Sequence, residues 1–439
     1  MTSALLIQNA RLLDPGQRID RIGCLLIRDG RIVWWGGKDE YPTGSRFDVL
    51  NAEGLVVCPG FIDLHCHLRE PGFPEKETIA TGTKAAARGG FTTICCMPNT
   101  RPPLDTVEAI NFVKARAEKE GVVRVLPIAC VTKGRNGTEL ADMESLARAG
   151  VAGFSDDGDP VRTEELMRQA LIKSRELSLP VIDHCEDPVG GLPEGEMKIV
   201  ARDLKLAEET GGWVHIAHVS VAGSVELIKK AKQIGVKVTA EVTPHHLTLT
   251  EEAVAKYGTL AKVNPPLRTE RDRYAMVRAL KDGTLDIIAT DHAPHTTADK
   301  QREFNMAASG ISGFEMAFGI LMGLVHSGQL TFNELIYRMT AAPAQILGGK
   351  FGKVGSLVVG AVVDIVVVDP DKEWVVDTDR FASRGKNTPL NGMKLKGKVL
   401  ATLSQGKIVY MDDSLHIQRN VAPPPPQKCS CEDENTKSY

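Results

Sequence analysis

Along most of the chain, short runs of apolar residues alternate with longer stretches in which apolar positions recur every three or four residues. The runs read FIDLHCH, TTICCMPN, RVLPIACV, AGFSDDG, PVIDHCE, VHIAHVS, KVTAEVTPHH and DIIATDHAPH. Between them, TVEAINFVKARAEKEG (Thr106 to Gly121), TEELMRQALIKSRELS and SVELIKKAKQIG carry apolar residues at helical spacing, which predicts one buried helix face each. Near-continuous apolar strands separated by amphipathic helices predict a parallel sheet covered by helices. Eight such units fit a closed (β/α)8 TIM-type barrel. A doubly wound open sheet is the competitor, and the lack of a G-x-G-x-x-G after the first strand removes the usual reason to prefer it.

The two ends of the chain read differently. Residues 1–57 hold short alternating segments, ALLIQNARLLD, GCLLIRDGRIVWWG and FDVLNAEG, with Asp-Gly and Gly-Gly turns, as strands joined by tight turns do. The style returns from residue 351 to about 415, in KVGSLVVGAVVDIVVVDPDKEWVVD and LKGKVLATLSQGKIVY. Neither end alone has enough strands to bury a face. The expected organisation is therefore a barrel over residues 58–350 and a small β-sandwich built from both termini. Residues 416–439, with APPPPQKCSCEDENTKSY, are too polar and proline-rich to bury a core and read as a disordered tail.

What stands at the strand ends carries the chemistry. His65 and His67 close the first run, Asn99 the second, and Thr132 and Lys133 the third. Asp156 and Asp157 close the fourth, His184 and Glu186 the fifth, and His218 the sixth. His245 and His246 follow the seventh, and Asp291, His292 and His295 the eighth. Residues two apart on a strand face the same way, so His65 and His67 aim at one spot with Asp63 beneath them. One H-x-H among eleven histidines is a weak signal. Aspartate and asparagine at strand ends also serve as helix caps and turn formers. Eight histidines as caps would be odd, however, and in a barrel all these ends converge on one mouth. A metal-binding cup explains the pattern better than capping does. Asp156 and Asp157 both remain candidates at the fourth strand, because neighbours on a strand face opposite ways and a turn can reverse the choice.

Composition narrows the class. The chain has 439 residues, 42% apolar and 25% charged, with a formal charge of −3. That is a soluble globular balance with no electrostatic reason to expect nucleic acid or anionic membrane. The start, MTSALLIQNARLL, lacks the basic flank and long apolar core of a signal peptide, and the expected compartment is the cytoplasm. Of nine cysteines, Cys58, Cys66, Cys95, Cys96, Cys130 and Cys185 sit in or beside apolar runs and read as buried, reduced thiols. Cys429 and Cys431 form a C-x-C in the tail, too little for a metal site.

Taken in order, PGFIDLHCHLREPG, GTKAAARGGFTTICCMPNTRP, GFSDDG, HCED, AHVS, AEVTPHHL, VNPPLR and IATDHAPH resemble the blocks of the amidohydrolase superfamily, and within it of the longer bacterial dihydroorotases. Several blocks in the right order are far more specific than one motif. Two stretches depart from the pattern: PVGGLPEGEMKIVARDL after HCED is shorter than in typical relatives, and AASGISG around Ser309 lacks a bulkier residue before the glycine.

The resemblance implies two zinc ions per subunit, bridged by Asp157 and a hydroxide that acts as nucleophile. His65, His67 and Asp291 match the ligands of the first metal, and His184 and His218 those of the second. Asp291 matches the general acid/base. His67, Arg69, Asn99, Asn264, His295, Ser309 and Gly310 match substrate-binding positions, and the TPHH pair, His245 and His246, stands as supporting structure. The implied reaction is reversible hydrolysis of dihydroorotate to N-carbamoyl-aspartate in pyrimidine biosynthesis. Dihydroorotate carries a ring carboxylate, for which arginine is a planar bidentate partner. A hydantoinase or allantoinase activity is one alternative. A silent scaffold for aspartate carbamoyltransferase is another, and a homodimer is the expected assembly. The glycine-bearing TKGRNGTEL (Thr132 to Leu140) is a candidate lid.

Overall fold

The computed structural model describes residues 4–38, 46–187 and 191–421. Seven strands, Phe61–Cys66, Phe91–Cys96, Arg124–Pro127, Val181–Asp183, Val214–Ile216, Val238–Val242 and Ile287–Ile288, lie side by side in chain order. Every pair is parallel. The fourth place in the ring is taken by Phe154, through single parallel bridges to Ala129 and Val181. The ring closes where Cys66 bridges His292 and where the His67 amide donates to the His292 carbonyl at 2.9 Å. Eight units thus form a TIM-type barrel, as the alternation predicts. The ladders are shorter than the apolar runs because the polar ends of those runs turn outward into the mouth loops.

The helices begin where the sequence offers a cap. Val107–Glu120 starts after Thr106, whose hydroxyl accepts from the Ala109 amide, and Glu164–Leu177 starts after Thr163, which does the same for Leu166. Their apolar faces join Ile94, Val125, Val181, Ile216 and Ala240 in one large core. A separate cluster ties Ile62, Leu64, Ile182 and Ile287 to the helix Ala341–Leu347.

The β-sandwich is assembled from both ends of the chain. Val56–Pro59 runs parallel to Leu5–Asp14 and antiparallel to Ile365–Val375. Phe47–Asn51 lies between Leu5–Asp14 and Ile417–Val421. Leu12, Leu25, Val57, Val367 and Leu403 share its core. Two borders differ from the sequence expectation. The sandwich keeps Val56–Pro59, so the barrel's first strand starts at Phe61. Ile417–Val421 is a strand although it lies beyond residue 415, because Ile417 and Val421 pack against the two sandwich cores. The remaining expected tail, 422–439 with Cys429 and Cys431, lies outside the described residues.

Glu315 helps seat the sandwich-side segment against the barrel. Its carboxylate accepts from the amides of Ala382 at 2.8 Å and Ser383 at 3.3 Å, and faces Arg88 at 3.4 Å. Among the described residues, seven cysteines are buried and outside any disulfide; burial pushes the Cys96 thiol up to about 12. No described helix is long and apolar enough to cross a membrane.

Candidate active site

Asp63, two residues before His65, accepts from the Thr290 amide and hydroxyl, both at 2.7 Å. This clamp joins the first strand to the segment after the eighth. It places His65 and His67 beside Asp291, whose Oδ1 lies 3.0 Å from His67 Nε2 and 3.7 Å from His65 Nε2. His67 Nδ1 lies 2.9 Å from Asn99 Oδ1. A carbonyl oxygen only accepts, so the His67 proton sits on Nδ1 and Nε2 is left facing the carboxylates. Asn99 in turn donates to Asp157 Oδ2 at 3.3 Å.

Asp157 stands at the centre. Its Oδ1 is 3.4 Å from His65 Nε2 and 3.7 Å from both His184 Nδ1 and His218 Nε2, while its Oδ2 is 3.5 Å from His67 Nε2. Asp156 faces away: its carboxylate is used by the amides of Val131 and Thr132, at 3.0 and 3.1 Å, and by the Thr132 hydroxyl at 2.5 Å. Arg135 Nη2 holds the carbonyls of Asp156 at 3.1 Å and Asp157 at 2.6 Å. The proposed lid segment is thereby pinned, with Gly134 donating to Asp105 at 2.7 Å and Gly137 to the Thr132 hydroxyl at 3.0 Å.

His184 Nε2 lies 3.1 Å from Glu186 Oε2, and its Nδ1 lies 2.9 Å from His218 Nε2. Two ring nitrogens at that separation need a shared proton or a common cation between them. His65 Nε2 and Asp157 Oδ1 are buried without any hydrogen-bond partner, an arrangement that costs free energy unless a cation sits among them. These atoms form two overlapping groups, His65–His67–Asp291 and His65–Asp157–His218, each within 4.8 Å. Imidazole and carboxylate donors in such a set suit zinc or a related divalent ion. A third group, Asp183–Cys185–Asp203, already has a cation partner in Arg202, which reaches Asp203 at 2.7 Å and Asp183 at 3.2 Å.

Electrostatics follow from burial opposed by close partners. Burial alone would lower His65 and raise Asp157. The Glu241 and Asp157 carboxylates instead hold His65 well above the usual range, and the histidines hold Asp157 well below its own. Asp291 is likewise held low, against burial, by His67, His65 and His218. His184 is raised to about 10, burial being overcome by Asp157 and Glu186.

The other expected residues line the same opening. His67, Arg69, Asn99, Asn264, His295, Ser309 and Gly310 border a cavity of about 210 Å³ that reaches Asp157, His184, His218 and Asp291. Arg69 Nε donates to the Pro294 carbonyl at 3.3 Å, and its Nη2 lies 3.2 Å from His295 Nε2. Asn264 donates to Glu186. Gly310 has φ +138°, and a Cβ there would stand 2.6 Å from that of Ala293, so only glycine fits. Arg69, His218 and Asp291 have φ of +60°, +30° and +44°. Such left-handed residues persist only where the surrounding structure over-determines them.

His245 and His246 lie outside both donor groups. His246 spans the Thr243 hydroxyl at 2.8 Å and the Pro265 carbonyl at 3.0 Å, and burial lowers His245 to about 4. Sequence reading left unassigned two carboxylates that orient the histidines, Glu186 and Glu241. The signal for Glu241 is a lone acid inside the apolar strand run KVTAEVTP.

The amidohydrolase family profile matches residues 56–409. A dihydroorotase of Thermoanaerobacter sp. (strain X514) is 50% identical, with 83% of this chain and 88% of that protein aligned. The dihydroorotase of Pelobacter propionicus is 45% identical over 92% of this chain and 99% of its own length. Among solved structures, an L-hydantoinase (dihydropyrimidinase) from Arthrobacter aurescens superposes with a TM-score of 0.85 at 24% identity, covering 95% of this chain and 98% of that one. A D-hydantoinase gives 0.82 at 26%, covering 95% and 97%.

Proposed function

Since the chain belongs to the amidohydrolase family and, within it, to the dihydroorotases, we propose that the cup at the barrel mouth is where the ring amide of dihydroorotate opens to N-carbamoyl-aspartate and closes again. The observation that carries this is the pair of donor groups sharing His65, with Asp157 facing both. In this reading His65, His67 and Asp291 would hold one zinc ion and His184 and His218 a second, with Asp157 available to either. When bound, such ions supply Lewis acidity, which lowers the pKa of water and polarises an amide carbonyl.

The protein's own groups do the rest. Arg69 receives the substrate's ring carboxylate as a planar two-point partner, with His295 and Asn99 as further donors. Asn264 and the Ser309–Gly310 backbone border the ring. Asp291, kept ionised by the imidazoles beside it, accepts the proton of the attacking water as its oxygen bonds to the amide carbon. It then returns that proton to the ring nitrogen as the carbon–nitrogen bond breaks. In the reverse direction the same carboxylate removes a ureido proton. All six donor positions are present, which supports a catalyst over a silent scaffold.

The test is dihydroorotate hydrolysis measured beside hydantoin and allantoin, with metal content determined on the same sample. The reading expects turnover of dihydroorotate alone and two equivalents of zinc. Preference for hydantoin or allantoin, or no turnover after zinc is supplied, refutes it.

A further inference from the structure

Below the cup a line of side chains runs along the inside of two neighbouring strands. Glu241 is fully buried. Its Oε1 lies 2.6 Å from His65 Nδ1 and accepts from the His218 amide at 3.2 Å. Its Oε2 lies 3.1 Å from His215 Nε2. His215 Nδ1 is 2.8 Å from the Thr239 hydroxyl, which accepts from the Trp213 indole at 3.0 Å. The strand pattern makes this line possible. His215 and Thr239 are register partners in the parallel ladder, and Thr239 and Glu241, two apart, share a face.

One set of proton positions satisfies every bond. The ionised carboxylate only accepts, so His65 carries its proton on Nδ1 and His215 carries its proton on Nε2. His215 Nδ1 is then an acceptor, the Thr239 hydroxyl donates to it, and the same hydroxyl receives the indole N–H. With a cation in the cup in place of a second imidazole proton, His65 would present its Nε2 lone pair toward Asp157 and Asp291, where that atom has no hydrogen-bond partner.

We propose that Glu241, backed by His215, is the positioning residue that holds His65 as an Nε2 ligand and sets how tightly the cup takes its first cation. The proposal rests on the reading of the cup as a metal centre. It adds a demand that reading does not make: a side chain at 241 with two acceptor oxygens and no donor. Glutamine fails that demand, because its amide nitrogen would confront the His215 Nε2 proton or the His65 Nδ1 proton.

The test uses the full chain stripped by a chelator and titrated with Co²⁺, reading affinity by chelator competition and ligand geometry by the visible cobalt spectrum. Glu241→Gln is expected to weaken the first equivalent by about 10- to 100-fold, the range for partners that orient a metal-bound histidine, and to alter the cobalt spectrum. His215→Gln is expected to give a smaller loss of the same sign. The double variant should lose less than the sum of the two, since both act through one carboxylate. Wild-type affinity and spectrum in Glu241→Gln overturn the positioning role alone. A wild type that takes up no cobalt overturns the metal reading of the cup and this role with it. Should Glu241→Gln not fold, His215→Gln decides: an altered spectrum supports the role and an unchanged one overturns it.

Discussion

His67 Nε2 and Asp291 Oδ1 lie 3.0 Å apart although 224 positions separate them in the chain. The contact exists because the first barrel strand and the segment after the eighth are neighbours, clamped by Asp63 and Thr290. An imidazole that donates its Nδ1–H to the Asn99 carbonyl oxygen faces a carboxylate that burial would neutralise and the surrounding histidines hold below its usual range. That pairing is what the proposed double role of Asp291, metal donor and proton acceptor, draws on.

Replacing Asp291 by asparagine removes the acceptor and keeps the shape. Turnover of dihydroorotate is expected to fall by about 10² to 10⁴-fold, the usual contribution of a positioned acid/base group. Steady-state kinetics with metal content measured in parallel checks this. A variant that retains metal and loses less than tenfold in kcat removes Asp291 from the proton-transfer role.

Arg69→Ala should lower kcat/KM for dihydroorotate by at least ~1,000-fold, about 4 kcal/mol of transition-state binding, while zinc content stays at the wild-type level. Arg69→Lys should recover little, because an ammonium does not reproduce the two-point contact. Loss of zinc in Arg69→Ala would instead make Arg69 a scaffold for the cup.

Two lysines hold the backbone beside the cavity at the barrel mouth. The buried Lys300 ammonium donates to the carbonyls of Ala308 at 2.8 Å, Gly310 at 3.1 Å and Lys262 at 3.2 Å. Lys262 does the same for Phe304 and Ala307, both at 2.7 Å. Lys300→Met strips the Ser309–Gly310 segment of these donors and should raise KM by about tenfold, ~1.4 kcal/mol, with a smaller change in kcat. Equal losses in kcat and kcat/KM would point to a transition-state contact instead.

Glu315 supplies a pH dependence away from the cup. Burial raises its carboxyl from 4.5 to about 7, against the amides of Ala382 and Ser383 and the charge of Arg88. A folded-state pKa above the unfolded one gives a contribution that is complete below the unfolded value and lost as pH rises through the folded one. Between pH 4.5 and about 7 the wild type should therefore lose up to about 3 kcal/mol relative to Glu315→Gln. Denaturant unfolding of both proteins across that window measures it, and a constant difference would exclude the effect.

Much of the fold is legible without coordinates because it is written in local periodicity. The short run FTTICC between turn-forming residues reads as a buried strand, and Thr106 caps the start of the helix that follows by its own hydroxyl. The borders are harder. Val56–Pro59 and Phe61–Cys66 form one apolar stretch, and the ladder partners on either side of Gly60 assign the first half to the sandwich and the second to the barrel. Ile417–Val421 has too little pattern to stand out until Phe47–Asn51 is seen beside it.

By itself, the sequence determined the eight strand–helix units, the paired-terminus sandwich and the polar residues at the strand ends, since each depends on spacing over a few neighbouring residues. Only the tertiary structure decided which way those polar groups face. Asp156 turns to the amides of Val131 and Thr132 while Asp157 turns to the histidines, a choice made by the turn and by Arg135 on their carbonyls. Only closure of the ring brought Glu241 under His65, 176 positions away. The physical reason is that side-chain direction at the end of a strand, and the partner it meets there, are properties of the closed ladder and its loops, which no local run of residues contains.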